Sequence, residues 1–123
     1  MSQIRNNPQI EWSQINNQEC LKFTFEGTFT EEDCINAITE WKRLFSQRTG
    51  EKIALVWHCQ KMKGYEPMAR SLWQRTIKDL KDQIDSIWLI TDSALIKAGA
   101  TLISFFTKLD IKVVKSENKI FVN

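Results

Sequence analysis

One histidine, two prolines, four glycines and three cysteines are all that 123 residues contain of these types, and each scarcity closes off a class of function. His58 stands alone, and Cys20, Cys34 and Cys59 are widely spaced with no Cys-x-x-Cys pair, so zinc-site spacing is absent. Neither a metal nor an organic cofactor is expected. Three isolated thiols read as reduced, buried side chains of a cytoplasmic protein. A phosphate-cradling loop needs clustered glycines before Lys-Ser/Thr, and Gly27, Gly50, Gly64 and Gly99 lie far apart. No Pro/Gly-rich linker, repeat or low-complexity tract divides the chain, so residues 1–123 are expected to form one domain.

Charge of one sign is also lacking. The formal balance is +2, with 17 basic residues scattered among 15 acidic ones. Nucleic-acid binders concentrate Lys and Arg on one face, so nucleic acid is not an expected partner. Long apolar runs are missing as well. The richest, Ala94 to Phe106, is broken by Lys97, Thr101 and Ser104 and is too short to span a bilayer. Met1 to Trp12 carries polar Asn and Gln where a signal peptide needs an apolar centre. The expectation is no membrane insertion and no export.

What is present is a core. Hydrophobic residues make up 42%, with five Trp and seven Phe, enough to fold without staples. After an Asn- and Gln-rich opening, a first strand is placed at Gln9 to Ile15. Leu21 to Glu26 alternates apolar and polar, the period of a strand with one buried face, and Gly27 then bends the chain. An antiparallel hairpin joined by Asn16-Asn17-Gln18 follows. Thr30, trailed by Glu31, Glu32 and Asp33, is a helix start. Cys34, Ile38, Trp41 and Phe45 recur at helical spacing over Glu31–Gln47.

Ile53 to Trp57 and Ile87 to Ile90 are continuous apolar runs, the pattern of central strands covered on both faces. A helix over Glu66–Lys81, with Pro67 in its first turn, lies between them. Asp92-Ser93 caps a third helix over Ser93–Lys108. Ile111 to Val114 is a further parallel strand, and Ile120 to Val122 a short edge. The alternation predicts an α/β fold, a mixed sheet with parallel central strands and right-handed crossovers.

Candidate chemistry is thin. His58 and Cys59 are neighbours, so on a strand they face opposite ways and the histidine cannot easily activate the thiol. No catalytic residue is assigned, and an enzyme is not expected. Lys61 to Glu66 reads as a loop between strand and helix. Lys61, Lys63, Gly64, Tyr65 and Glu66 are therefore candidate binding residues, with the lysines able to hold an anion near the helix start. A plain connecting loop is the competing reading. Asp92 and Ser93 are binding candidates on the next turn, though capping alone explains them. The third helix is apolar around most of its circumference, more than one buried face requires. Ile96, Ile103 and Phe105 are accordingly interface candidates.

The segments Lys63-Gly64-Tyr65-Glu66-Pro67-Met68-Ala69-Arg70, Ile87 to Ser93, Leu95 to Ala100 and Ile111 to Ser116 carry a resemblance. From about Leu21 to Glu117 the chain resembles the SpoIIAA-like (STAS/SEC14-type) superfamily, and more closely its small stand-alone bacterial members of unknown function. That resemblance implies successive βα units with helices mainly on one face, and a binding role. Relatives antagonise anti-sigma factors, regulate transporters, or hold small or lipid ligands. Two departures stand out. Phosphoswitch members open the helix after the central strand with a serine or threonine, where this chain has Gly64-Tyr65-Glu66-Pro67. They also commonly end in a helix, and here only nine residues follow Val114. The resulting expectation is a non-enzymatic regulatory module acting by protein–protein contact, including as a homodimer. The alternative is a carrier or sensor for a small apolar or anionic ligand.

Overall fold

A computed structural model describes residues 6–122. Among them are five strands, β1 (Gln9–Ile15), β2 (Gln18–Phe29), β3 (Ile53–Tyr65), β4 (Ile84–Ile90) and β5 (Ile111–Val114). Three α-helices connect them, α1 (Glu31–Ser46), α2 (Pro67–Leu80) and α3 (Ala94–Thr107). The polar opening expected before β1 falls mainly on residues 1–5, outside the described residues.

The strand order is β1-β2-β3-β4-β5, with β1 antiparallel to β2 and all other neighbours parallel. Asn16 and Asn17 both have positive φ, the backbone of a two-residue hairpin turn, and they join β1 to β2 with Ile15 opposite Gln18. From β2 onward every crossover steps in the same direction. Right-handed crossovers that never reverse place every helix on one face of the sheet. They also leave no point where the strand order turns back, the usual position of a ligand crevice in α/β folds.

Alternation along the strands assigns the two faces. Leu21, Phe23, Leu55, Trp57, Ile87 and Leu89 point toward the helices and join Cys34, Trp41, Phe45, Trp73 and Ile77 in the main core. Trp73 stands at its centre, with ring centroids 5.7 Å from Phe23, 4.9 Å from Trp41 and 5.3 Å from Phe29. Ala54, Val56, Trp88 and Ile90 point the other way and build a smaller cluster with Ile15, Cys20 and Ile120.

Among the described residues that second face carries no α-helix. A strap formed by the segment after β5 crosses it. The segment contains a 3₁₀ turn at Glu117–Lys119, then Ile120, which is fully buried, and Phe121, edge-on to Trp88 at 5.6 Å. Asn16 Nδ2 donates to the carbonyl of Ile120 at 2.8 Å, Gln60 Nε2 to that of Lys115 at 3.0 Å, and Lys22 pairs with Glu117 at 3.0 Å. The edge strand expected at Ile120 to Val122 is therefore corrected: those residues are not in a strand. Ile120 is apolar because it seals a sheet face, not because it extends an edge. This cover explains why Ile53 to Trp57 is apolar without alternation.

Two further boundaries moved. β2 runs past Gly27, whose φ of +65° sits in a break of register between β2 and β3, so the glycine makes a bulge instead of ending the strand. β3 continues to Tyr65, with Lys61 opposite Glu26 and Tyr65 opposite Phe29. Lys61 to Tyr65 is thus strand, and the expected loop is corrected. Lys61, Met62 and Lys63 run exposed, part-buried, exposed, the period of a half-covered strand, before buried Gly64 and part-buried Tyr65; the lysines and glycine disguise it.

Candidate functional site

The overhang of β3 positions the site. β4 ends at Ile90, opposite His58, so residues beyond His58 have no strand on that side. α3 packs beside them. A Cβ placed at Gly64 would lie 3.7 Å from Leu95, and one at Gly99 would lie 2.8 Å from Tyr65 Oη and 2.9 Å from Cε1. Tyr65 therefore rests directly on α3, where only glycine leaves it room. Gly99 is one turn past Ile96, and Ile96, Ala100 and Ile103 form the buried stripe of that helix.

Beneath this contact lies a partly open cavity of about 50 Å³, walled by residues of β2, β3 and β4 below and of α2 and α3 above. Trp57, Cys59, Trp73 and Leu89 line its wall together with Tyr65 and Arg70, and the surface they present is almost wholly apolar. The indole N–H of Trp57 is buried without a hydrogen-bond partner among the described residues, as is that of Trp41. Burial raises the Cys59 thiol far above the ordinary range, which leaves it protonated and unreactive at neutral pH. His58 is on the opposite face of the sheet. Burial, and then the charge of Lys22, hold its imidazole below the usual value, so the pair cannot act as nucleophile and base.

The sequence candidates separate into groups. Tyr65 lines the cavity and Gly64 lies against Leu95 of α3, while Lys61 and Lys63 are exposed on the strand. Glu66 accepts a hydrogen bond from the amide of Glu31 at 2.7 Å, which docks its carboxylate on the start of α1. Ser93 is the N-cap of α3, its hydroxyl accepting from the Ile96 amide at 3.3 Å, and Asp92 is exposed beside it. Ile96 and Ile103, expected at an interface, are corrected to core: each is under a tenth exposed and lines the cavity. Phe105 is 75% exposed. The sequence reading missed Arg70 and the cavity-facing roles of Trp57 and Cys59. The pairing of small residues Gly99-Ala100 with Ile96 and Ile103 was the available signal for the packed face of α3.

The other face of α3 is bare. The helices lie in the order α1, α2, α3, so α3 has a helical neighbour on one side only. Leu95, Leu102, Phe105 and Phe106 are 53%, 42%, 75% and 50% exposed. Val113 on β5, the sheet edge beside it, is also exposed. Among the described residues no helix is long and apolar enough to cross a membrane, and no group of His, Cys, Asp and Glu could hold a metal ion.

A helix layer on one face of a sequentially ordered, mostly parallel sheet, with a small apolar pocket and a bare end helix, defines a small α/β domain built on the SpoIIAA-like plan. The SpoIIAA-like family model matches residues 20–120, and the chain belongs to that family. Among solved structures it is similar to an uncharacterized protein of the DUF3478 family with a SpoIIAA-like fold from Shewanella loihica PV-4. The TM-score is 0.76 at 14% identity, over 97% of this chain and 94% of that one. No curated protein matches.

Proposed function

We propose that this protein is a non-enzymatic regulatory module of the cytoplasm that works by protein–protein contact, with the bare face of α3 as its contact surface and a second copy as the first occupant. The observation that carries this reading is the run Leu95, Leu102, Phe105 and Phe106. Together these side chains expose on the order of 400 Å² of apolar surface, the size of a monomer's largest, often functional patch. Half of a standard interface is about 800 Å², so this patch supplies about half of that as apolar surface, with exposed Lys97 and Thr101 on its rim. Pairing across a twofold axis is the commonest way a small protein covers such a face. Sedimentation velocity at micromolar concentration tests it. A species of twice the chain mass is expected, and Phe105→Asp should return it to one chain mass with unchanged circular dichroism. A single-chain species that persists on concentration would remove this reading.

The cavity supports a second reading, a carrier or sensor of a small ligand. Concave apolar space between a sheet and its helices is where a small apolar ligand would sit.

A further inference from the structure

Leu95, Gly99, Leu102 and Phe106 recur at intervals of four, three and four, so they lie on one side of α3. Gly99 shows which side this is. It meets Tyr65 of β3, and β3 and α2 lie on the same flank of α3, because strands and helices step across the sheet in one order. The apolar stripe therefore runs along the shoulder of α3 that faces α2.

The facing side of α2 is basic. Arg70, Gln74 and Lys78 recur every fourth residue, and Lys81 follows a turn later at the helix end. Arg70 lines the pocket together with Gly99 and Ile103 of α3, and Lys81 Nζ donates to the carbonyl of Thr107 at 3.4 Å, so this side looks toward α3. α3 contains no Asp or Glu, and the one acid of α2, Asp79, is about 100° round the helix from Lys78. Between the two helices runs a groove with one apolar wall and one cationic wall, and the partly open apolar pocket lies at its floor.

We propose that this groove docks an amphipathic α-helix of another protein, with an apolar stripe and an acidic flank, in exchange for the second copy. The inference rests on the reading of α3 as a protein contact surface. An amphipathic helix laid in an apolar groove is a recurring mode of recognition. Charge decides between the occupants. A second copy covers the apolar stripe but brings the same cations to the joint, whereas an acidic flank covers the stripe and complements Arg70, Lys78 and Lys81. Exchange between the two gives the module its regulated step.

The test uses two labelled helical peptides of about 18 residues, with the same leucine stripe and either Glu or Lys at the flanking positions. They are titrated with the full chain and read by fluorescence anisotropy. The Glu peptide is expected to saturate, with the Lys peptide at least about tenfold weaker and the gap narrowing as salt rises. Lys78→Glu with Lys81→Glu should weaken the Glu peptide by about tenfold, and Phe106→Ser should weaken both peptides by about as much. All three positions are exposed, so circular dichroism should stay native. Sedimentation with saturating Glu peptide should show one chain with one peptide. Equal binding of the two peptides would overturn the acidic assignment and leave the contact surface standing. Glu-peptide binding that no variant alters, or a two-chain species that keeps the bound peptide, would place it elsewhere and overturn the proposal, as would no saturation by either. Capture by phosphatidylglycerol vesicles without peptide binding would overturn it in favour of a membrane surface. A single-chain species that binds the Glu peptide would support this inference and remove the second copy.

Discussion

Gly99→Ala is the most informative single change, because two effects of known sign meet there. In a helix interior alanine is favoured over glycine by about 1 kcal/mol. Against this, the new Cβ would lie 2.8 Å from Tyr65 Oη, 2.9 Å from Cε1 and 3.0 Å from Cζ. Carbon contacts are comfortable at about 3.5–4.0 Å, so the ring must withdraw by about 0.5–1 Å. Overpacking of this kind costs about 1–3 kcal/mol. In the native background the substitution should therefore lower stability by about 0–2 kcal/mol. With Tyr65→Ala already in place the clash is gone, and the same substitution should raise stability by about 1 kcal/mol. The two changes should be coupled by about 1–3 kcal/mol. Urea unfolding of the four proteins reads this directly, 1 kcal/mol moving the midpoint by roughly 0.5 M. If Gly99→Ala raises the midpoint equally in both backgrounds, Tyr65 does not rest on α3.

Thr30 and Asp33 form a reciprocal capping box at the start of α1, at 3.1 and 3.2 Å, so Thr30→Ala should lose about 1 kcal/mol in urea unfolding. Ile120→Ala, which empties a fully buried position under the strap, should lose about 2–4 kcal/mol and make Trp88 more accessible to iodide quenching. Burial raises the thiols of Cys20 to about 11 and Cys34 to about 12, and Cys59 higher still. Ellman's reagent should therefore react slowly with the native protein and rapidly with three thiols in denaturant; a fast thiol in the native state would contradict their burial. His58 has a folded value below 6.5, caused first by burial and then by Lys22. The unfolded chain thus binds the proton more readily, and stability falls as pH drops from 6.5 through the folded value. Urea midpoints across that window should show this slope, and His58→Gln should flatten it.

The elements were legible because their periods are strong. α1 could be read from Cys34, Trp41 and Phe45 together with its acidic start, and the parallel core strands from Ile53 to Trp57 and Ile87 to Ile90. Periodicity gives a helix its faces but not which of them turns inward when almost every face is apolar. For that reason Ile96 and Ile103 could not be told from Phe105. The deciding fact is the unreversed strand order, a property of the whole sheet that places α3 at the end of the layer. Lys61 to Tyr65 was hidden because its glycine and lysines read as a turn, whereas pairing with β2 keeps it extended. The cavity has no sequence signature, since Trp57, Arg70 and Gly99 meet only after three crossovers. The strap escaped for a related reason: Ile120-Phe121-Val122 reads as a short strand, and the residues that Ile120 clusters with lie on four strands.

That strap also sets an order of events in folding. Each parallel strand pairs with the one immediately before it in the chain, so the sheet can grow by closing short loops one βα unit at a time. The hydrogen bond from Asn16 to Ile120 instead joins residues 104 apart. It has no platform until Ala54, Val56, Trp88 and Ile90 are aligned, so docking of the strap is expected to be the final step. Pulse-labelled amide exchange should then find the backbone of Ile120 protected later than that of Leu55 or Leu89. The two ends of the sheet behave as a clasp that fastens after the body has formed, and the helix-free face is the last to leave water.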